Sequence, residues 1–159
     1  MKVFFLNITK EKAQNTLFKL LKMGVIPIVN ENDTISTDEI QGFSDNDTLS
    51  AYVCNLVKGD ILIILSDIDG MYTKDPNKYN NAKIISEIFE IDDTIENSAE
   101  GSSSLLGTGG MKTKVNSAKI VNKNGADMII ASGKDINILF KILNGENIGT
   151  LFACNKDRR

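Results

Sequence analysis

Short apolar runs alternate with amphipathic stretches along this chain. Three runs are apolar on both faces, which is typical of buried parallel strands, and they lie at residues 25–29, 61–65 and 128–131. Apolar side chains recur every three or four positions in stretches that predict helices at residues 10–23, 46–58 and 136–143. The same spacing from Met111 to Val121 predicts a further helix, for which Gly125 is a plausible stop. A glycine follows each stretch closely and predicts its end, and residues 149–152 are expected to form a closing strand. The alternation predicts a layered α/β architecture.

Length and charge narrow the class of protein. The chain has 159 residues, enough for one domain with a proper core, and its net charge of −3 argues against a general nucleic-acid or membrane surface. No apolar run approaches the roughly 18 residues that span a bilayer, and the apolar start gives way to polar Asn7 too soon for a signal peptide. We therefore expect a cytoplasmic protein that binds neither nucleic acid nor membranes.

The chemistry available to the chain is restricted by its residue types. It has no histidine, which excludes Ser-His-Asp and Cys-His catalysis and most zinc sites. Cys54 and Cys154 are its two cysteines, and their wide separation predicts neither a disulfide nor a metal site. Carboxylates, lysines, backbone amides or a bound metal must do the work. That inventory suits phosphoryl transfer, which depends on positioning and on charge stabilisation.

The most informative segment is 107–114, Gly-Thr-Gly-Gly-Met-Lys-Thr-Lys, where a loop is expected to lead into a helix. Glycines allow close backbone approach to an anion and tolerate positive φ, helix-start amides donate hydrogen bonds, and lysines add charge. The order of glycines and lysines in this segment fits neither a Walker loop nor a dinucleotide fingerprint, because the lysines follow the last glycine. A glycine-rich surface turn before an ordinary amphipathic helix is the alternative.

Acidic and amide side chains cluster after two of the predicted strands. They lie at residues 30–34 and 45–47 after the first strand, and at 66–70 after the second. Ligands of open α/β sheets gather beyond the carboxyl ends of the strands, so these clusters are candidate site residues. Each also has an ordinary structural interpretation. Asp33 is compatible with an Asx turn, Asp45 or Asn46 with a helix N-cap, and Asp67 with a solvated loop acid.

The four motifs together carry a family resemblance. Asn30-Glu31-Asn32-Asp33-Thr34, Asp45-Asn46-Asp47, Asp67-x-x-Gly70-x-Tyr72-x-x-Asp75-Pro76 and the 107–114 loop stand in this order. From about residue 6 to 152 the chain resembles the glutamate 5-kinases of the amino acid kinase family. The resemblance implies a three-layer αβα sandwich with a mainly parallel sheet. It also implies ATP- and Mg²⁺-dependent phosphorylation of the γ-carboxylate of L-glutamate, the first step of proline biosynthesis, by an enzyme that is a homo-oligomer at full length.

The resemblance also implies roles for individual residues. Lys114 matches the catalytic lysine that neutralises the ATP phosphates, and Asp47 matches the carboxylate that orients the catalytic lysines. Asp33 and Asn46 match positions that bind glutamate. The implied nucleotide-binding residues are Ser66, Asp67, Thr108, Gly109, Gly110, Met111, Lys112, Thr113 and Lys114. No metal ligand is assigned.

Relative to the family pattern, residues 1–159 correspond to the later part of the kinase domain. The family's opening strand with its Lys- and Gly-containing phosphate loop has no counterpart here, nor has its RNA-binding-like C-terminal domain. The isolated chain is therefore expected to be inactive. Two alternatives stay open: a non-catalytic module that binds a nucleotide or an amino acid, and a kinase of the same fold acting on another acceptor such as UMP.

Overall fold

The computed structural model describes residues 2–30, 45–100 and 110–154, with side chains described from Lys10 onwards except that of Glu100. Three of the predicted site residues, Asp33, Thr108 and Gly109, lie outside the described residues. The helices of the described part are α1 (Lys2–Lys22), α2 (Asn46–Val57), α3 (Asp93–Glu100), α4 (Met111–Lys123) and α5 (Ile138–Leu143). The strands are β1 (Ile61–Ser66), β2 (Glu87–Ile88), β3 (Asp127–Ser132) and β4 (Thr150–Phe152).

The described strands form one mixed sheet in the order β1-β3-β4-β2. β1 and β3 pair in parallel over their full length, from Ile61 opposite Asp127 to Ser66 opposite Ser132. β2 and β4 also pair in parallel, whereas β4 runs antiparallel to β3. The mainly parallel α/β sheet expected from the sequence is thus confirmed, with an antiparallel pairing at its centre that the sequence did not predict.

One apolar core lies between the sheet and helices α2 and α4. Ile64, Met128, Ile130 and Phe152 face it from the strands. Side chains from the two helices meet them there, and these are Ala51 and Cys54 of α2 and Met111, Val115, Ala118 and Val121 of α4. The small alanines, none of them exposed, let α2 and α4 pack closely side by side. This close packing fixes the two helices that carry the site residues described below.

The two ends of α2 are set by different devices. Asp45 is its N-cap in extended backbone geometry, and its Oδ1 accepts a hydrogen bond of 2.7 Å from the Thr48 amide. The helix ends at Lys58, which adopts the left-handed conformation at φ 53°. The sequence predicts Gly59 as the stop. The positive φ lies at Lys58 instead, one residue before the glycine. The Gly59 amide donates a hydrogen bond to the Cys54 carbonyl.

The prediction of a buried strand at residues 25–29 is wrong. This segment has no regular secondary structure and pairs with no strand in the described part of the chain, and Ile26 and Ile28 are 86% and 96% exposed. The apolar pattern reports what a segment can bury, whereas a strand also needs a neighbour to accept its backbone hydrogen bonds. The sequence pattern also gave no signal for β2 or α3, because their apolar stretches are too short.

The loop that follows β1 is held by a distant residue. Thr150, which is fully buried, accepts a hydrogen bond of 2.8 Å from the Met71 amide and donates one of 2.6 Å to the Ile85 carbonyl. A Cβ placed on Gly70 would lie 2.7 Å from the same hydroxyl oxygen, so glycine is required for this approach. The segment after β1 is thereby fixed against the sheet.

Candidate functional site

The N-terminus of α4 is the first component of the site. Gly110 is the N-cap and, as a glycine, has no side chain with which to cap the helix. Its φ of −73° is accessible to any residue, so positive φ is not the reason for glycine here. A Cβ built on Gly110 would meet no atom of the described residues within 4 Å. Amides and the helix dipole favour an anion at such a helix start.

Lys114, in the first turns of α4, points across to α2. Its Nζ lies 3.0 Å from Oδ2 of Asp47, although the two residues are 67 positions apart in the chain. The lysine side chain is 8% exposed and the aspartate side chain 17% exposed, so both charges are largely shielded from water. An ion pair so placed has a fixed geometry and is little weakened by salt. The predicted catalytic residues therefore meet in the fold.

Thr113 joins the same arrangement. Its hydroxyl lies 3.1 Å from Oδ2 of Asp47 and 2.7 Å from the carbonyl oxygen of Gly110. Two consecutive residues of α4 thus reach the same carboxylate oxygen. The sequence placed Thr113 among the nucleotide-binding residues and gave no indication of this contact, because the contact depends on how α2 packs against α4.

Asp47 is available for this contact because another residue caps its helix. Asp45 bonds both the amide and the hydroxyl of Thr48, at 2.7 Å and 3.0 Å. The helix-cap interpretation left open for Asp45 is therefore correct, and that for Asn46 is not, since Asn46 is the first helical residue. Asn46 is exposed and lines a groove with Pro27, Val29 and Asn30. Its assignment to glutamate stays a prediction.

The other predicted nucleotide residues lie at the carboxyl end of β1. The Ser66 hydroxyl donates to Oδ1 of the exposed Asp67 at 2.9 Å, and the Ser66 carbonyl accepts the Gly133 amide at 2.7 Å. Met111 is buried in the core, so its contribution to a ligand would come from its backbone, whereas Lys112 is exposed. These positions are compatible with a nucleotide site. They remain predictions, as does the assignment of Lys112.

Tyr72 belongs to the same loop after β1 and was named only as part of its motif. Its hydroxyl lies 2.9 Å and 3.0 Å from the two carboxylate oxygens of Asp69. This hydrogen bond is the main reason that the pKa of Tyr72 is raised, and partial burial and the negative charge of Asp69 act in the same direction. Tyr72 therefore stays protonated at neutral pH and serves as a hydrogen-bond donor.

The described residues contain no group of three or more His, Cys, Asp or Glu side chains arranged to hold a metal ion. Mg²⁺ that accompanies ATP is bound largely by phosphate oxygens and water, with one or two carboxylates, so it needs no such cage. No helix among the described residues is long and apolar enough to cross a membrane.

Comparison with known proteins gives a consistent result. The model of the amino acid kinase family matches residues 3–132. A glutamate 5-kinase of Clostridium perfringens is 53% identical over 150 residues, which are 92% of this chain and 56% of that protein. A glutamate 5-kinase of Carboxydothermus hydrogenoformans is 50% identical over 147 residues, which are 92% of this chain and 39% of that protein. The chain thus spans about half the length, or less, of the curated relatives it matches.

Solved structures resemble the fold at low sequence identity. The UMP kinase of Ureaplasma parvum is 14% identical with a TM-score of 0.63, over 88% of this chain and 52% of that one. The UMP kinase of Bacillus anthracis is 16% identical with a TM-score of 0.63, over 92% of this chain and 51% of that one. The chain belongs to the amino acid kinase family.

Proposed function

We propose that this chain carries the acid–lysine pair and the phosphate-binding helix start of a glutamate 5-kinase. The reaction is transfer of the γ-phosphoryl group of ATP to the γ-carboxylate of L-glutamate, giving glutamyl 5-phosphate for proline biosynthesis. The observation that carries the proposal is the shielded contact between Lys114 and Asp47 at the start of α4, where Gly110 is the N-cap. The identity of 53% to a protein named glutamate 5-kinase supports the choice of acceptor.

The residue types suit this chemistry. A glutamate side chain has a pKa of about 4.3, so the attacking carboxylate is ionised at neutral pH and needs no general base. The absence of histidine therefore removes nothing that the reaction requires. What the reaction needs is a way to hold two anions together and to stabilise charge on the phosphoryl group in transit. A lysine and helix-start amides supply that stabilisation.

Lys114, Asp47, Gly110 and Met111 have distinct roles in the proposed reaction. Lys114 lies against the phosphates and neutralises negative charge in the transition state, while Asp47 keeps its ammonium group in place. The Met111 amide donates a hydrogen bond to a phosphate oxygen that lies beside Gly110. ATP is taken up as its Mg²⁺ complex, in which the cation would shield the phosphates, and no residue of this chain is assigned to the cation. A cytoplasmic location and a homo-oligomeric full-length enzyme belong to the same proposal.

The first test measures the ATP affinity of the purified chain by isothermal titration calorimetry in the presence of Mg²⁺. We expect Lys114→Met to weaken ATP binding by tenfold or more, because a charge-assisted contact is worth at least about 1.5 kcal/mol. Lys123→Met is the matched control, since Lys123 is exposed at the far end of the same helix. Gly110→Asp should also weaken binding, because its carboxylate would occupy the space proposed for phosphate.

The second test measures turnover with glutamate by trapping the acyl phosphate with hydroxylamine. The chain is assayed alone and mixed with the part of the Clostridium perfringens enzyme that lies outside the match, and UMP is offered as a competing acceptor. We expect hydroxamate from glutamate in the mixture. ATP binding without turnover in both assays would indicate a non-catalytic nucleotide module, turnover of UMP alone would indicate another acceptor, and absence of ATP binding would refute the nucleotide site.

A further inference from the structure

We propose that Thr113 is a positioning residue, whose hydroxyl holds the Asp47 carboxylate in place for Lys114 and makes no direct contact with the nucleotide. This inference rests on the proposed function and deepens it. It departs from the role that sequence resemblance gave to Thr113 within the nucleotide loop. Three contacts support it. Oδ2 of Asp47 is contacted by both Thr113 and Lys114, and the Gly110 carbonyl oxygen is contacted by the Thr113 hydroxyl.

The first step is that one oxygen of Asp47 receives donors from two consecutive residues of α4. The Thr113 hydroxyl lies 3.1 Å from Oδ2, and the Lys114 ammonium lies 3.0 Å from the same atom. Neighbouring residues on a helix point about 100° apart, so their donors approach the oxygen from different directions. Two such donors restrict rotation of the carboxylate more than one does. Asp47 is thereby fixed relative to the start of α4.

The second step concerns the single proton of the Thr113 hydroxyl. Its other acceptor, the Gly110 carbonyl at 2.7 Å, already accepts the amide of Thr113 at 3.1 Å and that of Lys114 at 3.5 Å. An ionised carboxylate is a stronger acceptor than a carbonyl oxygen that is already hydrogen-bonded. The ionised Asp47 carboxylate at 3.1 Å therefore competes for this one proton with the nearer Gly110 carbonyl at 2.7 Å, and the hydroxyl lies between the two acceptors with no further proton for a phosphate oxygen.

Third, the Thr113 hydroxyl already has hydrogen-bond partners, and it lies between helices α2 and α4. Thr113 is half-buried, and its hydroxyl lies within hydrogen-bond distance of Asp47 on α2 and of the Gly110 carbonyl oxygen. A hydroxyl that donates to either of these acceptors has no second proton to give to a phosphate oxygen. Its effect on the nucleotide is therefore exerted through Asp47 and Lys114.

The experiment compares Thr113→Val, which keeps the shape but loses the hydroxyl, with Thr113→Ser, which keeps the hydroxyl. We expect Thr113→Val to weaken ATP binding about fivefold and Thr113→Ser to remain within twofold of the wild-type chain. Thr16→Val is the matched control. Within the described part of the chain, the Thr16 hydroxyl donates to the Lys12 carbonyl of its own helix at 2.9 Å. That variant should leave ATP affinity unchanged.

A double-mutant cycle with Asp47→Ala separates positioning from direct contact. The unfolding equilibrium constant of each variant is measured in urea without nucleotide. We expect Thr113→Val to change this constant about fivefold when Asp47 is present and by less than twofold when Asp47 is alanine. Equal changes in both backgrounds, or equal loss of ATP affinity in Thr113→Ser and Thr113→Val, would overturn the proposal. If the wild-type chain binds no ATP, the proposed function fails, and the nucleotide-free cycle still decides whether Thr113 holds Asp47.

Discussion

Two aspartate–lysine pairs in this protein differ in almost every physical respect. Asp47 and Lys114 are 67 residues apart, come from two packed helices, and have side chains that are 17% and 8% exposed. Asp75 and Lys78 are three residues apart in one turn, and their atoms lie 3.2 Å apart. The Asp75 side chain is only 7% exposed, but Lys78 is 59% exposed, so the lysines and not the aspartates differ in burial. A pair close in sequence follows from local geometry, whereas a shielded pair between helices requires the whole fold.

The two aspartates also differ in what else they do. Asp75 stabilises its own turn, because its Oδ1 accepts the Asn77 amide at 2.9 Å. Asp47 is not the cap of α2, since Asp45 caps that helix two residues earlier. The comparison teaches that a carboxylate relieved of local hydrogen bonding is the better candidate for function. Residue type alone does not separate the two aspartates.

The largest expected effect is on stability when the lysine of each pair is replaced. Lys114→Met leaves Asp47 without its cation in a shielded place, and we expect the free energy of unfolding to fall by about 3 kcal/mol. Lys78→Met removes an exposed charge and should change stability little. Urea unfolding followed by circular dichroism measures both. Equal losses for the two variants would show that burial does not distinguish the pairs.

A smaller effect is expected at the cap that frees Asp47 for its contact. Asp45→Ala removes the acceptor of the Thr48 amide, and we expect the free energy of unfolding to fall by about 1 kcal/mol. Asp45→Asn keeps an oxygen that can cap the helix and serves as the control. The same urea experiment applies. A loss as large with asparagine as with alanine would mean that the charge of Asp45, and not its capping bond, stabilises α2.

The smallest effect concerns the pH dependence of stability at the Asp75–Lys78 pair. The pKa of Asp75 is lowered, first by the hydrogen bond from the Asn77 amide and then by the Lys78 ammonium, against an opposing effect of burial. A lowered pKa means that the ionised form stabilises the fold above the unfolded value of about 3.9, and that this stability is lost as the pH falls through the folded value.

Wild-type and Asp75→Asn chains are therefore compared by thermal unfolding between pH 6 and pH 3. We expect the wild-type chain to lose more stability than the variant over the acidic end of that range, because only the wild type has this carboxylate to protonate. Parallel curves for the two chains would show that Asp75 does not link folding to protonation. Lys78→Met should reduce the difference without abolishing it, since the Asn77 amide remains.

Helices and strands could be predicted where they depend on residues that are neighbours in the sequence. Helix α2, helix α4 and strands β1 and β3 were predicted to within a few residues, because periodic apolar positions and capping residues define them. The segment 25–29 was predicted wrongly as a strand, since pairing depends on a neighbour that the pattern cannot supply. The anchoring of the loop after β1 by Thr150 was not predicted, because it joins residues 79 positions apart.

The sequence by itself determined helices α2 and α4, strands β1 and β3, the acidic motifs and the glycine–lysine segment, since each depends on neighbours along the chain. It determined family membership for the same reason, through motifs in a fixed order. Only the tertiary structure decided that Lys114 and Thr113 converge on one oxygen of Asp47, while Asp75 remains in its own turn. The physical reason is that close packing of α2 on α4 through small residues sets which distant side chains meet.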